Sequence, residues 1–98
     1  MANWKMRLTT SGRALREAIE NEDYKAIIRC MGYCYEDIHE TMPELYDEDE
    51  LDDDLTDLDC LEVDIDEYED DEEIEDAINY ELRKLYDFCD AMRVWIEI

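Results

Sequence analysis

Between Glu36 and Asn79 the sequence contains no lysine and no arginine. Glycine occurs only at Gly12 and Gly32, and proline only at Pro43. Such sparse punctuation excludes a fold built from many tight β-turns or a Gly/Pro-rich linker, and it predicts helices joined by short connections. No run of about 18 apolar residues exists, so no membrane span is expected. The first residues, MANWKMRL, lack the apolar stretch of a secretory signal, which places the chain in the cytoplasm as an expectation.

The charge that is present is segregated. Residues 1–35 carry a net charge of +2, residues 36–79 a net of −24 and residues 80–98 a net of −1, for −23 in all. A surface acidic throughout would suit a salt-loving protein, whereas this localisation points to one dedicated face. Direct binding to nucleic acid or to an anionic membrane is excluded, because both repel such a surface. With 98 residues, 46% of them hydrophobic, the chain is long enough for one domain spanning 1–98 with a modest core.

The periodicities predict a mainly α fold, a small bundle of about four helices, with a short two-stranded β-ribbon joining the N- and C-terminal segments. Trp4, Met6 and Leu8 alternate with Lys5 and Arg7 over residues 1–10. Met92, Val94, Ile96 and Ile98 alternate likewise near the end, so Lys5 or Arg7 would face Glu97. Residues 11–42 read as an αα-hairpin. Ser11 caps a first helix that buries Leu15, Ala18 and Ile19, and Asn21 or Asp23 opens a second with a stripe of Tyr24, Ile27, Ile28, Met31, Cys34 (or Tyr35) and Ile38. The string AIENEDYKAIIRCM is similar to the turn of a tetratricopeptide unit, but a solenoid needs about three such units and only one is visible. Residues 47–76 hold an acidic helix, a bend at 64–70 and the start of the next helix. Asp47 with Glu50, and Asp70 with Glu73, have capping-box spacing. Leu51, Leu55, Leu58, Leu61 and Ile65 fall on one stripe, and Ile74, Ile78, Leu82, Leu85, Cys89 and Met92 on another, with residues 77–98 completing the last helix and strand.

The candidate functional residues are the carboxylates of this acidic stretch. Glu48, Asp49, Glu50, Asp52, Asp53, Asp54, Asp57 and Asp59 fan around the third helix away from its leucines. Asp64, Asp66, Glu67, Glu69, Asp70, Asp71, Glu72 and Glu73 follow through the bend. Disordered acidic tails have no reason to keep leucines at helical spacing, so a rigid display is expected. Like charges at Glu48/Asp52, Asp49/Asp53, Glu50/Asp54, Asp53/Asp57, Glu69/Glu73 and Asp71/Glu75 each cost a few tenths of a kcal/mol, with no nearby cation in the sequence to offset them. A partner that uses the charge would explain its retention. The acids recur about every 2.8 Å of helix, against one phosphate per about 3.4 Å along a B-DNA strand. A protein that grips phosphates with Lys and Arg can accept such carboxylates in their place.

In size, one-sided charge and helices such as EDELDDDLTDL, the chain resembles the small acidic proteins of bacteriophages and conjugative elements, including anti-CRISPR and anti-restriction proteins that imitate DNA. That resemblance implies a non-enzymatic inhibitor, acting in a bacterial host cell, of a nuclease or another basic DNA-binding protein. The competing expectation is an acidic helical adaptor or assembly protein that binds through aromatic and apolar contacts, with its charge serving solubility.

Other chemistries fit poorly. Cys30, Cys34, Cys60, Cys89 and His39 lack the tight paired spacing of zinc modules, and the cysteines are expected as reduced, packed thiols. An EF-hand register beginning at Asp64 puts Glu69 where the loop needs glycine, and Asp52 or Asp57 fills that place in the registers from Asp47 and Asp52. No nucleophile stands at a sharp glycine turn, and neither glycine belongs to a phosphate loop. No enzyme activity, metal or cofactor is expected.

Overall fold

Helix α2 (Tyr24–Thr41) is the axis on which the other three helices and the first strand pack. The structure, a computed structural model, describes residues 3–96. In chain order it contains β1 (Met6–Leu8), α1 (Thr10–Glu20), α2, α3 (Glu48–Ile65), α4 (Asp71–Met92) and β2 (Val94–Ile96). Helices α1 and α3 lie against α2 most extensively, α4 packs on it more lightly, and α3 and α4 share few close approaches. Ion pairs from Arg29 to Glu62 and from Lys25 to Asp66 fix α2 and α3 as antiparallel neighbours. The long axis measures 43 Å.

The helix starts follow the capping logic of the sequence with one exception. Asp23 accepts from Ala26 N, Asp47 from Glu50 N and Asp70 from Glu72 N, so three helices begin on an aspartate cap. The expected Ser11 cap does not form. Thr9 occupies the cap position without a side-chain bond, and Ser11, the second residue of α1, is buried with its hydroxyl beside the Cys34 thiol. The reason is spatial: β1 delivers the chain so that the Ser11 side faces the core beside Cys34.

Helix α1 ends in a Schellman arrangement. Asp23 N donates to Ala18 O and Glu22 N to Ile19 O, with Glu22 left-handed at φ 54°. Arg93 closes α4 in the same left-handed region at φ 59° and turns the chain into β2. The four apolar stripes meet in one core. Leu15, Met31, Cys34, Ile38 and Leu85 are fully buried there, joined by Leu51, Leu58, Leu61 and Ile65 from the acidic helix. Gly32 faces Leu55 and Leu58, where an added Cβ would sit 3.4 Å from Leu55, so α3 lies at ordinary van der Waals range over it.

The terminal segments pair as strands, in parallel: Met6 opposite Val94, Arg7 opposite Trp95 and Leu8 opposite Ile96. A parallel pair needs a long crossover, and here the four helices supply it. Arg7 therefore sits across from Trp95. Glu97, its expected partner, and Ile98 lie outside the described residues. Met92 belongs to the last turn of α4 and precedes the strand.

Candidate partner-binding acidic face

Two short devices make α3 a rigid acidic rod. Its N-terminus is capped by Asp47 and carries Glu48, Asp49 and Glu50 in the first turn, where the positive end of the helix dipole favours carboxylates. Its stripe of Leu51, Leu58, Leu61 and Ile65 is buried, which fixes the rotation of the helix and turns the acids outward. Helix α4 repeats the scheme, with the Asp70 cap followed by Asp71, Glu72 and Glu73. Of the candidate carboxylates, Glu48, Asp49, Glu50, Asp52, Asp53, Asp57, Asp59 and Asp64 are exposed on α3. Asp66, Glu67, Glu69 and Asp70 are exposed in the turn, and Asp71, Glu72 and Glu73 at the start of α4.

Asp54 departs from this pattern. Its side chain is only 18% exposed, it accepts the Tyr46 hydroxyl, and Lys84 Nζ stands 2.9 Å away. Asp54 is thus a structural anion holding the α2–α3 turn and α4 to the acidic helix. Asp66 is also engaged, 3.1 Å from Lys25, although it remains well exposed. The acids do not fan evenly around α3 either. At 100° per residue its outermost line runs through Asp49, Asp52 and Asp53 and then through Thr56, Cys60 and Val63. All three of the latter are exposed, Val63 at 66%. The acidic rod is therefore densest over its first two turns, and its second half carries acid along two flanks with an uncharged strip between them.

The sequence neighbourhood of the acids lacks cations, but the folded neighbourhood does not, which corrects the expectation of uncompensated repulsion. Lys84 from α4 bridges Asp54 and Asp57 (2.9 and 3.5 Å), Arg29 from α2 pairs with Glu62 at 3.1 Å, and Lys25 pairs with Asp66. These bridges hold the inner flanks of α3 and leave Asp49, Asp52, Asp53 and Asp59 displayed. Hydrogen bonding to Asp54 raises the Lys84 pKa further, so this ammonium stays charged. Burial together with Asp57 and Asp54 raises the Glu81 carboxyl, with Lys84 acting in the opposite direction.

Below the acidic rod lies an aromatic cluster. Tyr35 and Tyr46 stack at 5.4 Å between centroids, and Phe88 meets Tyr46 edge-on at 5.0 Å. Burial is the first cause of the raised Tyr46 pKa, followed by its bond to Asp54. The Tyr46 carbonyl, which can only accept, lies 2.9 Å from His39 Nδ1, so that ring nitrogen carries the proton. The lone histidine thus serves as a brace for the turn. The role of Tyr46 as the hub of α2, α3 and α4 becomes visible only once Asp54 and Lys84 are brought beside it.

All four cysteines are free thiols. Cys30, Cys34 and Cys89 are buried and Cys60 is exposed. Burial pushes the Cys34 and Cys89 thiols up to about 12, and the Ser11 hydroxyl offsets this for Cys34 only in part. Among the described residues no group of three or more His, Cys, Asp or Glu side chains could hold a metal ion. No described helix is long and apolar enough to cross a membrane. Tyr33, Tyr80 and Trp95 are exposed large side chains, and Trp4 packs edge-on against Trp95 at 5.3 Å. No protein-family model, curated protein or solved structure matches this chain.

Proposed function

We propose that this chain is a nucleic-acid mimic: a non-enzymatic inhibitor whose acidic face occupies the basic DNA or RNA groove of a bacterial defence nuclease or another DNA-binding protein. The observation that carries this reading is the display of Asp49, Asp52, Asp53 and Asp59 on a capped, core-anchored helix. Its basic counterparts bridge the inner flanks and leave those four exposed. A rod held rigid by buried leucines loses little entropy on docking, which favours affinity. Helix α3 is 18 residues long, and at 1.5 Å per residue it matches about eight phosphate steps of a DNA strand.

In this role the carboxylates stand in for phosphate oxygens toward Arg and Lys, and most of the encounter rate is electrostatic. Immobilised protein should capture nucleic-acid-binding proteins from bacterial lysate at low salt and release them as salt rises, and the captured proteins should lose DNA in its presence. Captured proteins that keep their DNA contradict the mimic.

A second reading, an acidic adaptor binding through apolar contacts, is favoured by the uncharged strip of Thr56, Cys60 and Val63 and by exposed Tyr33 and Tyr80. Its association would persist at high salt and would respond to Val63→Asp more than to loss of acids.

A further inference from the structure

Beside the Tyr46 hub, between the α2–α3 turn and the end of α4, a cavity of about 410 Å³ opens to the surface. This is within the size range of ligand pockets, about 300–1,000 Å³. One side is apolar and aromatic, formed by Tyr46, Phe88 and Met92, and the other carries Glu50, Asp53 and Asp54 from the first two turns of α3. Tyr46 is buried at the back of the cavity, and the half-buried Phe88 ring is the aromatic surface it offers. An aromatic ring beside carboxylates supplies the two halves of a cation site: the ring face attracts positive charge and the acids neutralise it. We infer that this cavity receives one arginine side chain of the basic partner, an anchor at the end of the acidic rod.

The inference rests on the mimic reading and specifies where its partner is gripped. Arginine suits the cavity better than lysine. A planar guanidinium lies flat on a ring while its edge offers paired N–H donors to a carboxylate, and it sheds water more readily than an ammonium. Asp54 is already held by Tyr46 and Lys84, so the carboxylates free to take the fork are Glu50 and Asp53, both exposed. Lys84, seated on Asp54 from α4, occupies this neighbourhood with a cation of the chain's own and leaves the Asp53 side open. A phosphate backbone offers no aromatic floor, so the anchor would give the partner a contact that phosphate cannot.

The test is a titration of the full chain with N-acetyl-arginine amide, N-acetyl-lysine amide and N-acetyl-citrulline amide, followed by amide shifts. The arginine probe should move Tyr46, Asp53, Phe88 and Met92 and bind about threefold or more tightly than the lysine probe, and the neutral citrulline probe should move none of them. Phe88→Leu keeps apolar bulk and removes the ring, so it should erase the arginine preference, while Asp53→Asn should weaken both cations. If Phe88→Leu disturbs the fold, Asp53→Asn and Met92→Ala read the same cavity. Equal arginine and lysine shifts spread along α3 and the start of α4 overturn the anchor. So does an arginine preference that survives both Phe88→Leu and Asp53→Asn. A chain that fails this titration yet displaces DNA from a basic partner loses only the anchor. One that binds the arginine probe at the cavity but displaces no DNA keeps the cavity and loses the mimic.

Discussion

Lys84 on α4 reaches across to Asp54 on α3, its ammonium 2.9 Å from Oδ1 of a carboxylate whose Oδ2 accepts the Tyr46 hydroxyl. One aspartate of the most acidic stretch is thereby removed from display and used to join three elements. Tyr46→Phe deletes a hydrogen bond to a charged, part-buried acceptor, and it should cost about 1.5–3 kcal/mol in urea denaturation. Lys84→Met breaks a pair that is 40% exposed on the lysine side, and it should cost no more than about 1 kcal/mol, less in high salt. An equal cost for both would contradict the assignment of Tyr46 as the hub.

Glu81 stands beside the same pair. Its folded pKa is raised, chiefly by burial, so its charged form is disfavoured in the fold. The sign follows: at neutral pH the folded state carries a penalty that disappears once the carboxyl is protonated in both states. Glu81→Gln should therefore raise Tm at pH 7, and the gain should shrink to nothing as pH falls below the unfolded carboxylate range. A gain that grows on acidification would show that the carboxylate is stabilising.

Thiol chemistry separates core from surface. Cys34 and Cys89 are buried with thiols pushed up to about 12, Cys30 is buried with its pKa also raised, and Cys60 is exposed on α3. Only the thiolate reacts, so Ellman's reagent at pH 8 should titrate Cys60 rapidly and the other three only on unfolding. Rapid reaction of two or more thiols in the native protein would contradict the packing of α2 against α1 and α4.

Glu22 holds φ 54° at the end of α1. The left-handed region costs a residue with a Cβ about 1–2 kcal/mol, and glycine recovers part of this against its greater unfolded-state freedom. Glu22→Gly should stabilise by about 0.5–1 kcal/mol in urea denaturation, and destabilisation would show that the turn relies on the Glu22 side chain.

Much of this architecture was legible because it is local. Asp23, Asp47 and Asp70 announce helix starts through their own side chains, and the stripes at Leu51–Ile65 and Ile74–Met92 need only a period of 3.6 residues. What the sequence concealed is non-local. Ser11 looks like a cap until β1 decides which way α1 faces. The parallel sense of the ribbon depends on how many helices intervene between its strands. Lys25, Arg29 and Lys84 lie far in sequence from the acids they bridge, so the stretch from Glu36 to Asn79 looks uncompensated until the helices are assembled. The same assembly distinguishes Asp54, a structural anion, from its exposed neighbours Asp52 and Asp53.

That distinction sets the central test. Asp49, Asp52, Asp53 and Asp59 are exposed and make no ion pair among the described residues, so their joint replacement by Asn removes displayed charge while Asp54, the caps and the leucine stripe remain. The measurement is displacement of labelled DNA from a basic nucleic-acid-binding partner obtained by low-salt capture, using the native chain and this fourfold variant, with helical circular dichroism recorded for both. The mimic predicts that the variant keeps its helix signal and loses displacement by a factor of about 10 or more, since each removed carboxylate forfeits a charge-assisted contact. Undiminished displacement by a folded variant would contradict it.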